Sequence, residues 1–445
     1  MRSRYTSKTR AAEAITEIDM KIGVLGLGYV GLANVGVLAS IGHQVVGYDI
    51  NKDKVLSLSQ GSYPFDDRAL EKAVREHKDR ISYVSDVVSL KGMDAYILAL
   101  PTPEKEDGSC DTSYMDAATE SLISVLNPSD TVFLIIRSTV SVGYASNLRN
   151  KLKNPKIHVI SLPEFVREGT TYNDEKHPDR FVVGVDDDMD FEFVKRLRKD
   201  ALEEGTPFLK MNNQSAELTK YAANSFLAMK ISYINSLAYL SKKVGADIED
   251  VASGMGSDHR IGKSMLGAGV GYGGSCFPKD TKAIRHIGRE NGVSLPLIED
   301  TIKINEEQPI KFLNDVKENL GDLGGKTIAV LGLAYKDGIA DVRSSVSMTI
   351  IERLLEEGAV VNCFDSNPLA MKAMKERYEG IVSCDSIESA LNGADAVMIL
   401  TRDKSFLSLK GNKALETMKN HYIFDGRNLF KKEDFPSFVY FSIGR

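Results

Sequence analysis

One arrangement of residues occurs twice in this chain, and it constrains the fold more than any other feature. KIGVLGLGYVG (Lys21–Gly31) precedes QVVGYDIN (Gln44–Asn51) and DAYILALPTP (Asp94–Pro103). Far downstream, KTIAVLGLAYK (Lys326–Lys336) precedes VVNCFDSN (Val360–Asn367) and DAVMILTRD (Asp395–Asp403). Each set reads apolar strand, glycine turn, helix, a second strand closing on Asp, then a later strand after an Asp-Ala pair. Short apolar strands separated by helical stretches build βαβ units around a buried parallel sheet. The expected fold class is therefore α/β, with two Rossmann-like parallel-sheet domains, one at each end.

A different segment joins them. Residues 214–244 contain no Pro or Gly, and Leu218, Tyr221, Ala222, Phe226, Met229, Ile234, Leu237 and Leu240 recur at helical spacing. Asn213 is the expected N-cap and Gly245 stands where a C′ glycine belongs. Such a helix runs roughly 45 Å and can bridge two domains; a long core helix is the plainer reading. The expected boundaries are 20–210, 211–308 for a central helical domain with the bridging helix, and 309–445. Residues 1–19 are polar, lack the apolar stretch of a signal peptide and precede Met20 at the first strand, so a leader or disordered extension is expected there.

Bulk properties narrow the partners. The net charge of −6 argues against nucleic acid, so any phosphate must be met by local cations and helix N-termini. No run of about 18 apolar residues suggests a membrane span. Cys110, Cys276, Cys363 and Cys384 have no zinc-like spacing; free thiols in a cytoplasmic protein, and no metal, are expected.

Gly26, Gly28 and Gly31 follow a strand and open a helix. The first allows the turn, the second lets a pyrophosphate approach the backbone, and the third lets helix and strand pack closely. Tyr29 and Val30 lie between them. Asp49 follows Gly26 by 23 residues, where a carboxylate grips a ribose diol, which favours NAD over NADP. In the second copy Gly332 is kept, but Ala334 and Asp337 replace the other glycines and Tyr335 and Lys336 intervene. That suits a mononucleotide; a purely structural duplicate is the competing reading.

Residues 269–280 read GVGYGGSCFPKD. Gly269, Gly271, Gly273 and Gly274 make a loop whose backbone can approach a ligand closely. Cys276 ends it, with Lys279 placed to hold a thiolate and Asp280 to accept a proton. A cysteine alone would read as core filler; this setting makes it a candidate nucleophile. Lys220 and Asn224 stand four apart on the bridging helix, equipped to stabilise an oxyanion, with a solvated polar stripe as the alternative.

Taken in order, GLGYVGL, STV (Ser138–Val140), PEFVREG (Pro163–Gly169), KYAANSF (Lys220–Phe226), GYGGSCFPKD (Gly271–Asp280) and LGLAYK resemble the UDP-glucose/GDP-mannose dehydrogenase family over nearly the whole chain from Met20. With HPDRFVVG (His177–Gly184) they look most like its UDP-glucose branch. The resemblance implies an NAD-binding first domain, a UDP-sugar-binding last one, and two hydride transfers from the C6 carbon through a Cys276 thiohemiacetal and thioester. It implies that Lys220 and Asn224 stabilise the oxyanion, Asp280 helps activate water, and Thr139 and Glu164 handle an ordered water or the first proton. Sugar-nucleotide contacts are implied for Glu164, Phe165, Val166, Arg167 and Glu168, for Lys220 and Asn224, for Tyr272 and Gly273, and for Tyr335, Lys336 and Arg427. NAD contacts are implied for Lys54, Thr102, Thr139, Glu168, Lys279 and Arg343, beside the glycine turn and Asp49. Arg260 matches an arginine that reaches a neighbouring subunit's site, which implies a homodimer. Val166 stands where the family often has Leu, a lost methylene in the sugar grip. Sister enzymes acting on GDP-mannose or a UDP-N-acetylhexosamine, a two-electron hydroxyacid dehydrogenase and a non-catalytic NAD-binding regulator are the competing readings.

Overall fold

The computed structural model describes residues 19–63 and 67–445. The expected leader falls outside these residues except for Asp19, which is exposed and lies 3.2 Å from Arg80 Nη1. The chain forms two compact units. One comprises the described residues up to Lys105 with Cys110–Lys220; the other comprises Glu106–Ser109 with Tyr221–Arg445.

Eight strands form the sheet of the first unit: β1 (Lys21–Leu25), β2 (Gln44–Tyr48), β3 (Ile81–Val84), β4 (Ala95–Leu98), β5 (Val132–Ile136), β6 (Ile157–Ser161), β7 (Phe181–Gly184) and β8 (Phe208–Met211). Their order is β3-β2-β1-β4-β5-β6-β7-β8. All neighbours are parallel except β6 and β7, which meet antiparallel at Ser161 and Gly184. The strand order reverses between β1 and β4, and ligands of open α/β sheets bind beyond the strand ends at such a switch point. β5 (VFLII) and β6 (IHVIS) are buried at every residue, as strands covered on both faces must be. Helix α1 (Tyr29–Ser40) begins directly after the glycine turn and is buried without interruption from Gly31 to Ala39.

The sheet of the second unit comprises β9 (Thr327–Leu331), β10 (Val360–Phe364), β11 (Ile381–Ser383), β12 (Ala396–Ile399), β13 (Tyr422–Asp425) and β14 (Val439–Ser442). All are parallel, in the order β11-β10-β9-β12-β13-β14. The two sheets and the helices between their strands bear out the α/β reading. The second copy departs from the first just after its turn. Gly332 keeps a left-handed φ of +94°, but the next helix starts only at Val346. Without the other two glycines, residues 333–345 form a loop closed by Tyr335 N–H donating to Asp341 O at 3.1 Å. That loop carries Tyr335, Lys336 and Arg343.

Four further helices matter: α2 (Tyr144–Leu152), α3 (Asn213–Val244), α4 (Phe277–Glu290) and α5 (Pro296–Leu320). Helix α3 is the expected bridging helix, 32 residues long, roughly 48 Å. Its start corrects the sequence reading. Asn212 is the cap, its Oδ1 accepting from Ser215 N–H at 2.8 Å, while Asn213 is buried and accepts from Ser161 N–H at 3.0 Å. Gly245 has φ +73° and ends the helix as expected, with Ala246 N–H donating to Ser241 O. The apolar spacing is borne out in part: Tyr221 and Ile234 are fully buried and Leu237 packs against the core. Leu218, Phe226 and Leu240 are exposed at 44, 57 and 56%, joined by Tyr233 and Val244. The buried face carries Glu217, Lys220, Asn224, Ser232 and Asn235 between small residues such as Ala216, Ala228 and Ala238. A helix that carries a polar site on its inward face leaves some of its larger apolar side chains on the outward one.

Candidate active site

The first unit builds a dinucleotide cradle at the β1–α1 turn. Gly26 has φ +93°, and a Cβ there would stand 2.5 Å from Ala99 O; a Cβ on Gly31 would stand 1.8 Å from Gly26 O. Gly28, the N-cap of α1, has no protein atom within 4 Å of that position. Turn and packing thus close two of the glycines, and the open one is where a pyrophosphate would run. Tyr29 and Val30 start α1, half-buried, and no side chain caps the helix. Asp49 follows β2. Its Oδ2 accepts from Leu27 N–H at 3.1 Å and pairs with Lys54 Nζ at 2.7 Å, and its Oδ1 accepts from Asn51 N–H. Lys54 is therefore held against the Asp49 carboxylate. Thr102 Oγ1 donates to Thr139 O at 2.8 Å, which locks two expected NAD-contacting residues together.

Beside it lies a buried polar group. Lys220 Nζ donates to Glu164 Oε1 at 2.9 Å and Glu164 O at 2.7 Å, and Val166 N–H donates to Oε2 at 2.6 Å. Burial pushes the Glu164 carboxyl up, but the Lys220 ammonium and the Val166 N–H outweigh it and hold the carboxyl below its usual range. Phe165 packs its ring 3.8 Å from the Arg180 guanidinium and 5.3 Å from Lys220 Nζ. Arg167 is exposed and ion-paired with Asp174, and Glu168 is half-buried.

The second unit builds the cysteine loop. Cys276 is exposed at the N-cap of α4, with Pro278 in the first turn, so the residue stands at the positive end of the helix dipole. One turn in, Asp280 is buried. Its Oδ1 accepts from Lys279 Nζ at 2.5 Å, its Oδ2 from Asn224 Nδ2 at 2.6 Å, and its N–H donates to Cys276 O. The loop is clamped against residues 333–345. A Cβ on Gly273 would stand 2.2 Å from Ser344 O, and one on Gly274 would meet the Tyr335 ring at 2.9 Å. Arg427 Nη1 donates to Gly271 O at 2.8 Å and its Nε to Leu400 O; burial and the nearby Arg402 push its pKa down to about 10, so it stays charged at neutral pH. Tyr272 is buried, which pushes its hydroxyl up to about 12. Lys336 lies over the Tyr335 ring at 5.8 Å. Arg343 is exposed and paired with Asp341 at 2.7 Å; Arg260 is exposed at 79% and paired with Asp258 at 2.5 Å.

Three consecutive family models match. They are the NAD binding domain of the UDP-glucose/GDP-mannose dehydrogenase family at residues 20–201, its central domain at 214–307 and its UDP binding domain at 329–432. The chain belongs to this family. It is a dehydrogenase, and its cofactor is NAD, which the open Gly28 and the Asp49 carboxylate fit. Among its relatives, the UDP-glucose 6-dehydrogenase AglM of Haloferax volcanii is 36% identical over 93% of this chain and 98% of its own. The UDP-glucose 6-dehydrogenase TuaD of Bacillus subtilis is 36% identical over 96% and 93%. The UDP-glucose dehydrogenase of Pyrobaculum islandicum superposes with a TM-score of 0.88 at 32% identity, covering 96% of this chain and 98% of that one. Among the described residues, no helix is long and apolar enough to cross a membrane.

Sequence reasoning missed the amides that hold the cysteine loop. Asn235 on α3 accepts from Gly269 N–H at 2.9 Å. On α5, Gln308 donates to Gly269 O at 2.7 Å and Asn305 makes a reciprocal pair with the Tyr272 backbone at 2.8 and 3.0 Å. A polar residue on a helix carries no local mark of facing inward. The one available signal was the breadth of the polar stripe on α3.

Proposed function

We propose that this chain oxidises UDP-glucose to UDP-glucuronate through a thiohemiacetal and a thioester on Cys276, acting in the cytoplasm as a homodimer. The observation that carries the reading is Cys276 itself. It is the exposed thiol among the free cysteines, at a helix N-terminus, one turn from a buried Asp280 held by Lys279 and Asn224. Two NAD⁺ molecules, bound in turn, would accept the two hydrides.

In the first oxidation Glu164 and Thr139 handle the proton leaving the C6 hydroxyl while Lys220 steadies the developing negative oxygen. The Cys276 thiolate then adds to the aldehyde carbon, and the resulting alkoxide lies with Lys220 and Asn224. Loss of the second hydride turns this adduct into a thioester. Asp280 takes a proton from water, which adds to the thioester carbonyl; the C–S bond breaks, and the carboxylate product leaves the thiolate restored. Glu164 to Glu168 grip the sugar nucleotide, and Tyr335, Lys336 and Arg427 meet its charged part. The 36% identity to UDP-glucose 6-dehydrogenases over nearly the full chain supports this substrate. The exposed apolar stripe of α3 and the outward Arg260 support the dimer.

The test is NADH stoichiometry with UDP-glucose, beside GDP-mannose and UDP-N-acetylhexosamines. The wild type is expected to form two NADH per UDP-glucose and to oxidise the others poorly. Cys276→Ser is expected to stall before the second NADH. One NADH per sugar from the wild type, or two at an unimpaired rate from Cys276→Ser, defeats the mechanism.

A further inference from the structure

Within the first unit one buried carboxylate has no part in the chemistry above and yet ties together three segments that do. Glu217 lies on α3 one turn before Lys220 and is 4% exposed. Its Oε2 accepts from Gly143 N–H at 2.5 Å, and its Oε1 accepts from Ala145 N–H at 2.9 Å and from Ser161 Oγ at 3.1 Å. Gly143 is the N-cap of α2, reached by the chain just after Ser138–Val140. Ser161 ends β6, three residues before Glu164. A cavity of about 10 Å³, near the room one water needs, is lined by Thr139, Ser161, Glu217 and Lys220 together.

We infer that Glu217 is a positioning residue, which fixes the Thr139 turn and the Glu164 strand end against the helix that carries Lys220. This rests on the reading of Thr139, Glu164 and Lys220 as the groups that handle the first proton. Three donors converge on its two oxygens, so the carboxylate form is the one that fits; a protonated carboxyl would aim a hydrogen at a donor. Burial holds its pKa above the usual carboxylate value, and the Ala145 and Gly143 N–H groups and the Ser161 hydroxyl offset only part of that. The first turn of α2 adds the positive end of its dipole. Glutamine has the same shape but one acceptor oxygen. Its amide nitrogen must face either the Gly143 or the Ala145 N–H, and a backbone donor has no way to turn aside. Glu217→Gln therefore shifts the turn without emptying the site.

The experiment pairs kinetics with amide exchange on the full-length protein. Glu217→Gln is expected to lower kcat about 10–100-fold, the effect of a misplacement near 1 Å. KM for NAD⁺ and for the sugar nucleotide should stay within about threefold, so that the fall in kcat is not a loss of binding. Glu217→Ala is expected to speed deuterium exchange at Gly143 and Ala145. A kcat within about twofold of wild type overturns the inference. So does a loss seen only in melting temperature and both KM values, or unchanged exchange in Glu217→Ala. If the wild type leaves UDP-glucose unoxidised, that defeats the substrate assignment alone. The exchange arm still decides whether Glu217 holds the turn, and kcat is read on the nucleotide sugar the enzyme does oxidise.

Discussion

Removing Lys220 exposes the energetics of the site most directly. Its ammonium and the Glu164 carboxylate are both buried, 2.9 Å apart. Unit charges at that separation attract by about 6 kcal/mol at an effective dielectric near 20. Most of this offsets the desolvation of the two ions, so the pair as a whole stabilises little. Deleting one partner, however, leaves the other buried and uncompensated, which costs about 3–5 kcal/mol. In a unit of this size, 1 kcal/mol moves the melting temperature by about 2–4 °C, so Lys220→Ala is expected to melt about 6–20 °C lower. The double variant Lys220→Met with Glu164→Gln, which removes both charges, should recover at least half of that loss. The deficit also has a definite pH dependence. In the wild type the Glu164 pKa lies below its unfolded value, so its contribution is complete above the usual carboxylate range and is lost as pH falls through the folded value. In Lys220→Ala burial dominates and the pKa rises above the unfolded value, so the variant loses stability as pH climbs through it. The gap between the two proteins should be widest near pH 8 and narrow toward pH 5, measured by thermal melts across that range. A loss below about 1 kcal/mol, a gap indifferent to pH, or a double variant no better than the single one refutes the reasoning.

Two further outcomes are expected. Iodoacetamide applied to the native protein should label Cys276 and spare the other three cysteines, which are buried, with burial also pushing the Cys363 and Cys384 thiols up; peptide mapping that finds Cys363 modified at a similar rate contradicts the placement. Asp49→Ala removes the acceptor of Leu27 N–H and the partner of Lys54. A charged hydrogen bond is worth about 1.5–3 kcal/mol, so KM for NAD⁺ should rise about 10–100-fold and preference over NADP⁺ should shrink. An unchanged cofactor preference removes Asp49 from the ribose site.

What the amino-acid order determined by itself was whatever depends on near neighbours. The paired βαβ pattern, the Gly26 turn with Asp49 after the next strand, and the end of α3 at Gly245 all follow from apolar runs, positive φ and short-range spacing. The loop before Cys276 was legible for the same reason, since only glycines tolerate the approach that Gly273 makes to Ser344. Which face of α3 and which polar side chains are buried was decided by tertiary structure. The capping role passed from Asn213 to Asn212 because Ser161, distant in sequence, needed an acceptor. Leu218, Phe226 and Leu240 share the period of a core helix yet face outward, because Lys220, Asn224 and Asn235 need the inward face. Glu217, Asn305 and Gln308 look like ordinary surface polar residues until their partners arrive from elsewhere in the chain. A hydrogen-bond donor that must be satisfied in the interior leaves no trace in the residues beside its acceptor, and only folding brings the two together.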